Sequence, residues 1–308
     1  MTYFVRVMLG EQSLHAEDCF REGVIGTDFG LKIDLTKYLK DTWADSKKDL
    51  SDLYRKGKPD RSPVSIGLAC GAIWTVSKGI PEGGIVVSPT GQGSYALGRV
   101  VGSYQYVADE YLPHRRKVEW FAERIPSTSF SPSLLKALKL PLTCIDLNPY
   151  AEELQSFIDG KARIIVSGES DVESASRFAL EEILEDFLVA NWDHTEFGKS
   201  YSILTEDGKK VGQQFPSDTG PIDILALSKD GQEYLVIELK RGRANDRVVG
   251  QLLRYMGYVK KDLCQDNKRV RGVIVAHQDD LGLRNAISMV QDVDFYRYTI
   301  DFKLLKSD

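Results

Sequence analysis

No stretch of the 308-residue chain approaches the roughly 20 consecutive apolar residues that cross a bilayer, so no membrane partner is expected. The opening MTYFVRVMLGEQ has no basic region, no apolar stretch and no small-residue cleavage site, so no signal peptide is expected. There are only four cysteines (Cys19, Cys70, Cys144, Cys264), far apart and without a CxxC pair. Such spacing argues against a zinc site and fits reduced thiols in a cytoplasmic protein. An excess of positive charge is also lacking: the formal net charge is −5. A general polyanion binder is thereby disfavoured, but nucleic acid is not excluded, because binding depends on where charge sits. Repeats and low-complexity tracts are absent.

The chain is long for a single core, and two domains are expected. The small, polar and acidic stretch SGESDVESAS, residues 167–176, reads as a linker. It sets the expected domains at 1–166 and 167–308. In the first, short apolar segments alternate with glycines, as in GLACGAIWTVSKGIPEGGIVVS (67–88) and GSYALGRVVGSYQYV (93–107). This pattern predicts a β-rich, barrel-like domain, with helices at 33–56 and 148–159. The second opens on an amphipathic helix, where Leu180, Ile183, Leu184, Phe187 and Leu188 follow helical spacing. Strands are predicted near 201–205, 221–227, 233–240, 271–276 and 295–304, with helices near 244–262 and 280–291. The fold class is therefore α/β (α+β): a β-barrel-like domain followed by a mixed sheet flanked by helices.

Polar residues interrupt two of these strands. In IDILALSKDGQEYLVIELKRG (222–242), strand alternation puts Glu238 and Lys240 on one face, with Leu235, Ile237 and Leu239 on the other. Asp223 stands between two isoleucines on the preceding strand. A hairpin around SKDGQ (228–232) would bring Asp223 and Glu238 together. Two carboxylates in a half-buried site repel. A hard cation such as Mg²⁺, held by one or two carboxylates plus waters and phosphate oxygens, relieves this. It also lowers the pKa of bound water and offsets negative charge as a phosphodiester is cleaved. Lys240 would orient the water or stabilise developing charge. The bland alternative is a solvated Glu–Lys pair at a strand end. On the following helix, Gln251 and Tyr255 share one edge of the apolar face, while Arg247 and Arg254 lie on the outer side. With Arg241 and Arg243 just before them, these arginines are candidates for phosphate contacts, the alternative being an ordinary solvated face.

The set G220-P-I-D223, I-E238-L-K240 and G-Q251-L-L-R-Y255 resembles the PD-(D/E)XK nuclease superfamily, and more closely the C-terminal domain of the NucS/EndoMS endonucleases. The likeness covers roughly residues 172–308. It implies a restriction-endonuclease-like fold in which Asp223 and Glu238 hold Mg²⁺ or Mn²⁺ and Lys240 assists the attacking water. It also implies a glutamate on the first helix near the metal. Glu181 and Glu185 both flank the apolar stripe there, and Glu181 is the favoured one. Relatives of this kind imply a homodimer.

The first domain does not follow that family. The stretch from IWTVSKG to HRRKVEW is similar to EVE/PUA-like modules, which implies a small barrel reading a modified base. Trp74, Tyr104, Tyr106 and Trp120 would line the base pocket, since base–aromatic stacking contributes about 1–3 kcal/mol. Arg115, Arg116 and Lys117 would grip phosphates beside it. Core packing of the aromatics is the alternative, and for His114 a structural role is expected. The leading expectation is a metal-dependent DNA endonuclease of restriction or phage-defence type. A NucS-like repair enzyme for mismatched or branched DNA is the second reading. A catalytically silent DNA-binding module is the third. The sequence leaves open whether RNA is a substrate.

Overall fold

The computed structural model describes residues 2–160, 184–264 and 268–299. The chain divides into two units, residues 1–166 and 167–308, each with its own sheet. The linker-like stretch at 167–176 and the chain from residue 300 onward lie outside the described residues.

In the first unit the strands are β1 (Phe4–Val7), β2 (Val24–Thr27), β3 (Ile85–Pro89), β4 (Ser94–Val100), β5 (Gln105–Tyr106), β6 (His114–Pro126) and β7 (Cys144–Asp146). They run in the order β2-β6-β4-β3-β1-β7, with β5 also on β6. Among the described residues only β1 and β3 are parallel. The long β6 spans two pairings: His114–Lys117 face β2, and Val118 to Pro126 face β4. Among the described residues β2 and β7 do not pair, so the strands form an open path and the expectation of a barrel-like sheet is not confirmed.

Among the described residues of this unit the helices are α1 (Ala16–Glu22), α2 (Trp43–Gly57), α3 (Pro63–Trp74), α4 (Pro132–Lys139) and α5 (Ala151–Ile158). Helix α3 corrects the β-rich reading of the first part of the 67–88 stretch. Its start is well marked: the Ser62 hydroxyl accepts from the Ser65 N–H, and Pro63 occupies the first turn. Its body hides the helical period because it is apolar on several sides. Ile66, Ala69, Cys70 and Ile73 pack with Leu50 and Tyr54 of α2, while Val64 and Ala72 are buried as well. One π turn, Thr75–Gly79, extends it. The predicted helix at 33–56 becomes a short 3₁₀ turn, Thr36–Tyr38, and then α2, which starts at the Thr42 cap.

The second unit comprises α6 (184–190), β8 (Tyr201–Ile203), β9 (Thr205–Glu206), β10 (Lys209–Lys210), β11 (Gln213–Ser217), β12 (Gly220–Ser228), β13 (Glu233–Arg243), α7 (Asp246–Tyr258), β14 (Arg269–Gln278), α8 (Leu281–Ser288) and β15 (Val293–Arg297). Its main sheet is mixed, in the order β11-β12-β13-β14-β15, with β8 on the same flank of β12 as β11. Strands β13, β14 and β15 are parallel and the rest antiparallel. One face carries Ile224, Ala226, Leu235, Ile237 and Leu239, packed with Trp192, Phe197 and the α6 residues Leu184, Leu188 and Val189. Helix α7 covers the other face. Gly272, opposite Val236 in the ladder, lets it approach, since a Cβ there would lie 2.5 Å from Met256 Sδ and 2.9 Å from Leu252 Cδ2.

His114 in the first unit is fully buried, and its hydrogen bonds define its state. Its Nε2 lies 2.7 Å from the Leu31 carbonyl, which can only accept, so Nε2 donates. Nδ1 then accepts from the Tyr104 hydroxyl at 2.9 Å, and the Tyr104 oxygen accepts from the Leu35 N–H at 3.1 Å. The neutral ring thus ties the 31–35 loop to β6. Burial holds the imidazole below its ordinary 6.5. A depressed base favours the fold while neutral. Its contribution is complete above the unfolded value of about 6.5 and is lost as pH falls through the lower folded value. Thermal melting of the whole chain between pH 8 and pH 5 should therefore show a loss that shrinks in His114→Gln, although that variant is less stable at pH 8. An equal pH dependence in both proteins would contradict the assignment.

Candidate active site

The polar residues of β12 and β13 meet where the sheet forks. The β12–β13 ladder runs from Leu227↔Tyr234 to Ile224↔Ile237 and stops there. Beyond that point β12 stays paired to β11 through Ile222, Pro221 and Gly220, while β13 stays paired to β14 through Glu238, Leu239 and Lys240. The next register step sets Asp223 opposite Glu238. Asp223 Oδ2 accepts the Leu239 N–H at 2.8 Å, in place of a backbone carbonyl across the ladder. Glu238 is 1% exposed. Lys240, on the same strand face, donates to Glu238 Oε1 at 2.7 Å, with its own side chain 31% exposed. The three residues thus occupy one fork, with a half-buried lysine bonded to a buried carboxylate.

Helix α7 closes one side. Its Asn245 cap accepts from the Arg247 N–H. The Gln251 amide donates to Tyr255 Oη at 3.1 Å. Tyr255 is buried against the start of β12, where a Cβ on Gly220 (φ +125) would lie 3.3 Å from its hydroxyl. Its phenol pKa is raised, first by burial, with Glu238 and Asp223 acting in the same direction and Lys240 and the Gln251 bond opposing. The tyrosine thus feels all three residues of the fork.

From the other side comes Glu185 of α6, 5% exposed. Its Oε1 accepts from the Gln213 amide at 2.7 Å, and its Oε2 accepts from the Gln214 amide. Gln214 also reaches Asp223 Oδ1 at 3.3 Å. Glu185 thus stands one amide away from Asp223. Glu181, the favoured helix glutamate, lies outside the described residues. Sequence reading missed Gln213 and Gln214, because adjacent glutamines before a strand carry no periodic signal.

Arg243, Arg247 and Arg254 are exposed and make no ion pair among the described residues. Arg241 is half-buried, and its carbonyl accepts from the Tyr298 hydroxyl.

The basic run of the first unit needs correcting. Arg115 is buried. It pairs with Glu22 and Glu110, each at 3.0 Å, and donates from Nε to the Leu112 carbonyl. Arg116 is buried too, bonded to the carbonyls of Gly102 and Ile80. Guanidiniums committed to internal acceptors cannot grip phosphates, and only Lys117 of the three is exposed. Nor do the four aromatics share one cluster. Trp120 packs on the core around Val118, with its indole N–H on the Cys19 carbonyl. Trp74 and Tyr104 pack on the α2–α3 core, Trp74 donating to the Lys40 carbonyl. Tyr106 lies against the His114 ring.

Residues 198–302 match the family model "Endonuclease NucS C-terminal domain", and residues 6–140 match "Domain of unknown function (DUF8426)". "Endonuclease NucS" of Methanocaldococcus jannaschii is 38% identical over 74 residues, which are 24% of this chain and 27% of that protein. "Endonuclease NucS" of Corynebacterium efficiens is 29% identical over 127 residues, 41% of this chain and 46% of that one. The chain thus spans less than half the length of these relatives. A solved structure, "Structure of EndoMS-dsDNA2 complex", aligns over 71% of this chain and 66% of its own at 15% identity, with a TM-score of 0.32. The family match takes in the fork and α7, but not Glu185.

If Asp223 supplies the acceptor that the ladder lacks, Asp223→Ala should expose the Leu239 amide to hydrogen exchange at a cost of about 1–3 kcal/mol. Asp223→Asn, which keeps an acceptor, should cost less. Equal exchange in the two variants would contradict this.

Proposed function

We propose that the chain is a metal-dependent DNA endonuclease whose active site is the fork of the second unit. The observation that carries this reading is the convergence of Asp223, Glu238 and Lys240, with Tyr255 closing over them. The match of residues 198–302 to the NucS C-terminal domain supports it.

The donor set suits a hard divalent ion. It consists of the carboxylate oxygens of Asp223 and Glu238. Mg²⁺ commonly binds through one or two carboxylates, with waters and substrate phosphate completing the shell. Asp223 and Glu238 would hold Mg²⁺ or Mn²⁺. Once bound, the ion supplies water activation and charge neutralisation at the phosphate.

The chain's own residues do the rest. Lys240, held at 2.7 Å from Glu238, orients a water toward the phosphorus and offsets charge on the phosphate oxygens. Asp223, fixed by the Leu239 N–H, cannot swing away from the fork. Gln251 and Tyr255 set the wall against which the strand lies. Arg243, Arg247 and Arg254 bind backbone phosphates on the exposed side of α7 and the β13 end, positioning DNA without reading sequence.

Within this class a repair-type role, on mismatched or branched duplexes, fits the NucS-like domain better than a restriction or phage-defence role. The first unit would then act as a DNA-sensing module. The EVE/PUA-like base reader is its more specific form, for which Lys117 is exposed but Trp74, Tyr106 and Trp120 lie in separate clusters. Action on both strands calls for two active sites, which favours a homodimer.

A cleavage panel of mismatched, branched, modified and plain duplexes, with Mg²⁺ or Mn²⁺ and with chelator, tests the reading. Cleavage should need the metal, vanish in Glu238→Ala and fall about 100- to 10,000-fold in Lys240→Ala. Binding without cleavage under every condition would favour the silent DNA-binding module. Preference for modified over mismatched duplexes would restore the restriction-type role. Separately, Arg247→Ala and Arg254→Ala should each lower the salt slope of DNA binding by about one, uniformly across sequences. Unchanged slopes would remove α7 from the DNA interface.

A further inference from the structure

Gln214 stands in a costly backbone conformation beside the fork. Its φ is +49, a left-handed value uncommon for a non-glycine residue, and such outliers concentrate at functional sites. The strand around it remains in register. Gln213 pairs with Ile224 and Phe215 with Ile222, so Gln214 lies opposite Asp223. In a regular strand Gln213 and Gln214 would face opposite sides of the sheet. Here both side-chain amides end on one buried carboxylate, that of Glu185. The left-handed turn at residue 214 accounts for this.

Both carboxylates that Gln214 contacts belong to the site. Its Nε2 donates to Glu185 Oε2 and, at 3.3 Å, to Asp223 Oδ1. A side-chain amide has two N–H groups and no charge. It can therefore bridge two carboxylates that would repel one another, which neither a lysine of fixed positive charge nor a second acid could do without changing the charge of the site. Asp223 is thereby held on both oxygens, Oδ2 by the Leu239 N–H and Oδ1 by Gln214. Gln213 lacks this reach: it contacts Glu185 and, at 3.4 Å, Asp186.

We propose that Gln214 is a positioning residue for the metal-holding Asp223, tying it to Glu185 and setting its orientation before any ion arrives. This rests on the nuclease reading of the same site. Groups that orient metal ligands typically change metal affinity or activity 10- to 100-fold when lost.

The test uses the full chain, Mn²⁺ alone as the probe, calorimetric titration and thermal melting. Gln214→Asn is the informative variant. Asparagine adopts positive φ more readily than most residues, so the fold is kept, but its shorter side chain cannot span both carboxylates. Mn²⁺ affinity should fall about 10- to 100-fold with melting unchanged or raised, and Gln213→Leu should weaken it less. A purely backbone role for residue 214 predicts that Asn binds Mn²⁺ as the parent does, and that result overturns the proposal while leaving the nuclease reading intact. A loss in Gln213→Leu equal to that in Gln214→Asn also overturns it, because the link to Asp223 would then be irrelevant. If the parent chain binds no Mn²⁺, or Asp223→Asn binds it unimpaired, the nuclease reading itself falls and the proposal with it.

Discussion

The hydrogen bond from the Leu239 N–H to Asp223 Oδ2 is the contact on which the second unit's geometry turns. Two antiparallel strands that part leave unpaired backbone groups, and an unpaired buried N–H costs about as much as a lost hydrogen bond. The Asp223 carboxylate fills that place. In doing so it becomes fixed at the mouth of the fork, beside a buried Glu238 whose Oε1 takes the Lys240 ammonium. Bringing two carboxylates together is unfavourable unless donors or a cation answer them. The donors in the fold are a backbone amide, a lysine and a glutamine.

The helices make the arrangement rigid by ordinary packing. Helix α7 lies close on the sheet because Gly272 offers no side chain beneath Leu252 and Met256. That approach carries Tyr255 to Gly220, and Gln251, one turn earlier on the same helix, donates to its hydroxyl. Apolar contacts on the opposite face seat α6 through Leu184, Leu188 and Val189, which puts Glu185 within reach of the two glutamines of β11. Hydrophobic burial thus sets the positions from which the polar groups act, on strands and helices and not on loops.

Legibility in the sequence followed the strength of local contrast. Asp223, Glu238 and Lys240 stand out because charges interrupt apolar alternation, and the mixed sheet follows from apolar runs separated by turn residues. Helix α3 was obscured because its apolar residues face several sides, leaving no stripe; the Ser62-Pro63 start was the available signal. Arg115 and Arg116 misled because a basic run looks solvated, whereas Glu22, Glu110 and the Gly102 and Ile80 carbonyls, distant in sequence, receive them. Gln214 was invisible for a related reason: its importance lies in a backbone torsion and two long-range partners. Local pattern marks what a strand carries, while the destination of long polar side chains is decided by tertiary contacts.

The central claim is that Asp223 and Glu238 form one cation site. An experimental structure of the chain grown with Mn²⁺, read by anomalous scattering, tests it most directly. The account predicts a single peak in the fork, about 2.0–2.6 Å from an oxygen of each carboxylate, with Lys240 displaced from Glu238 Oε1 by little or nothing. A fork without a peak, or a peak bound by only one of the two carboxylates, would contradict it.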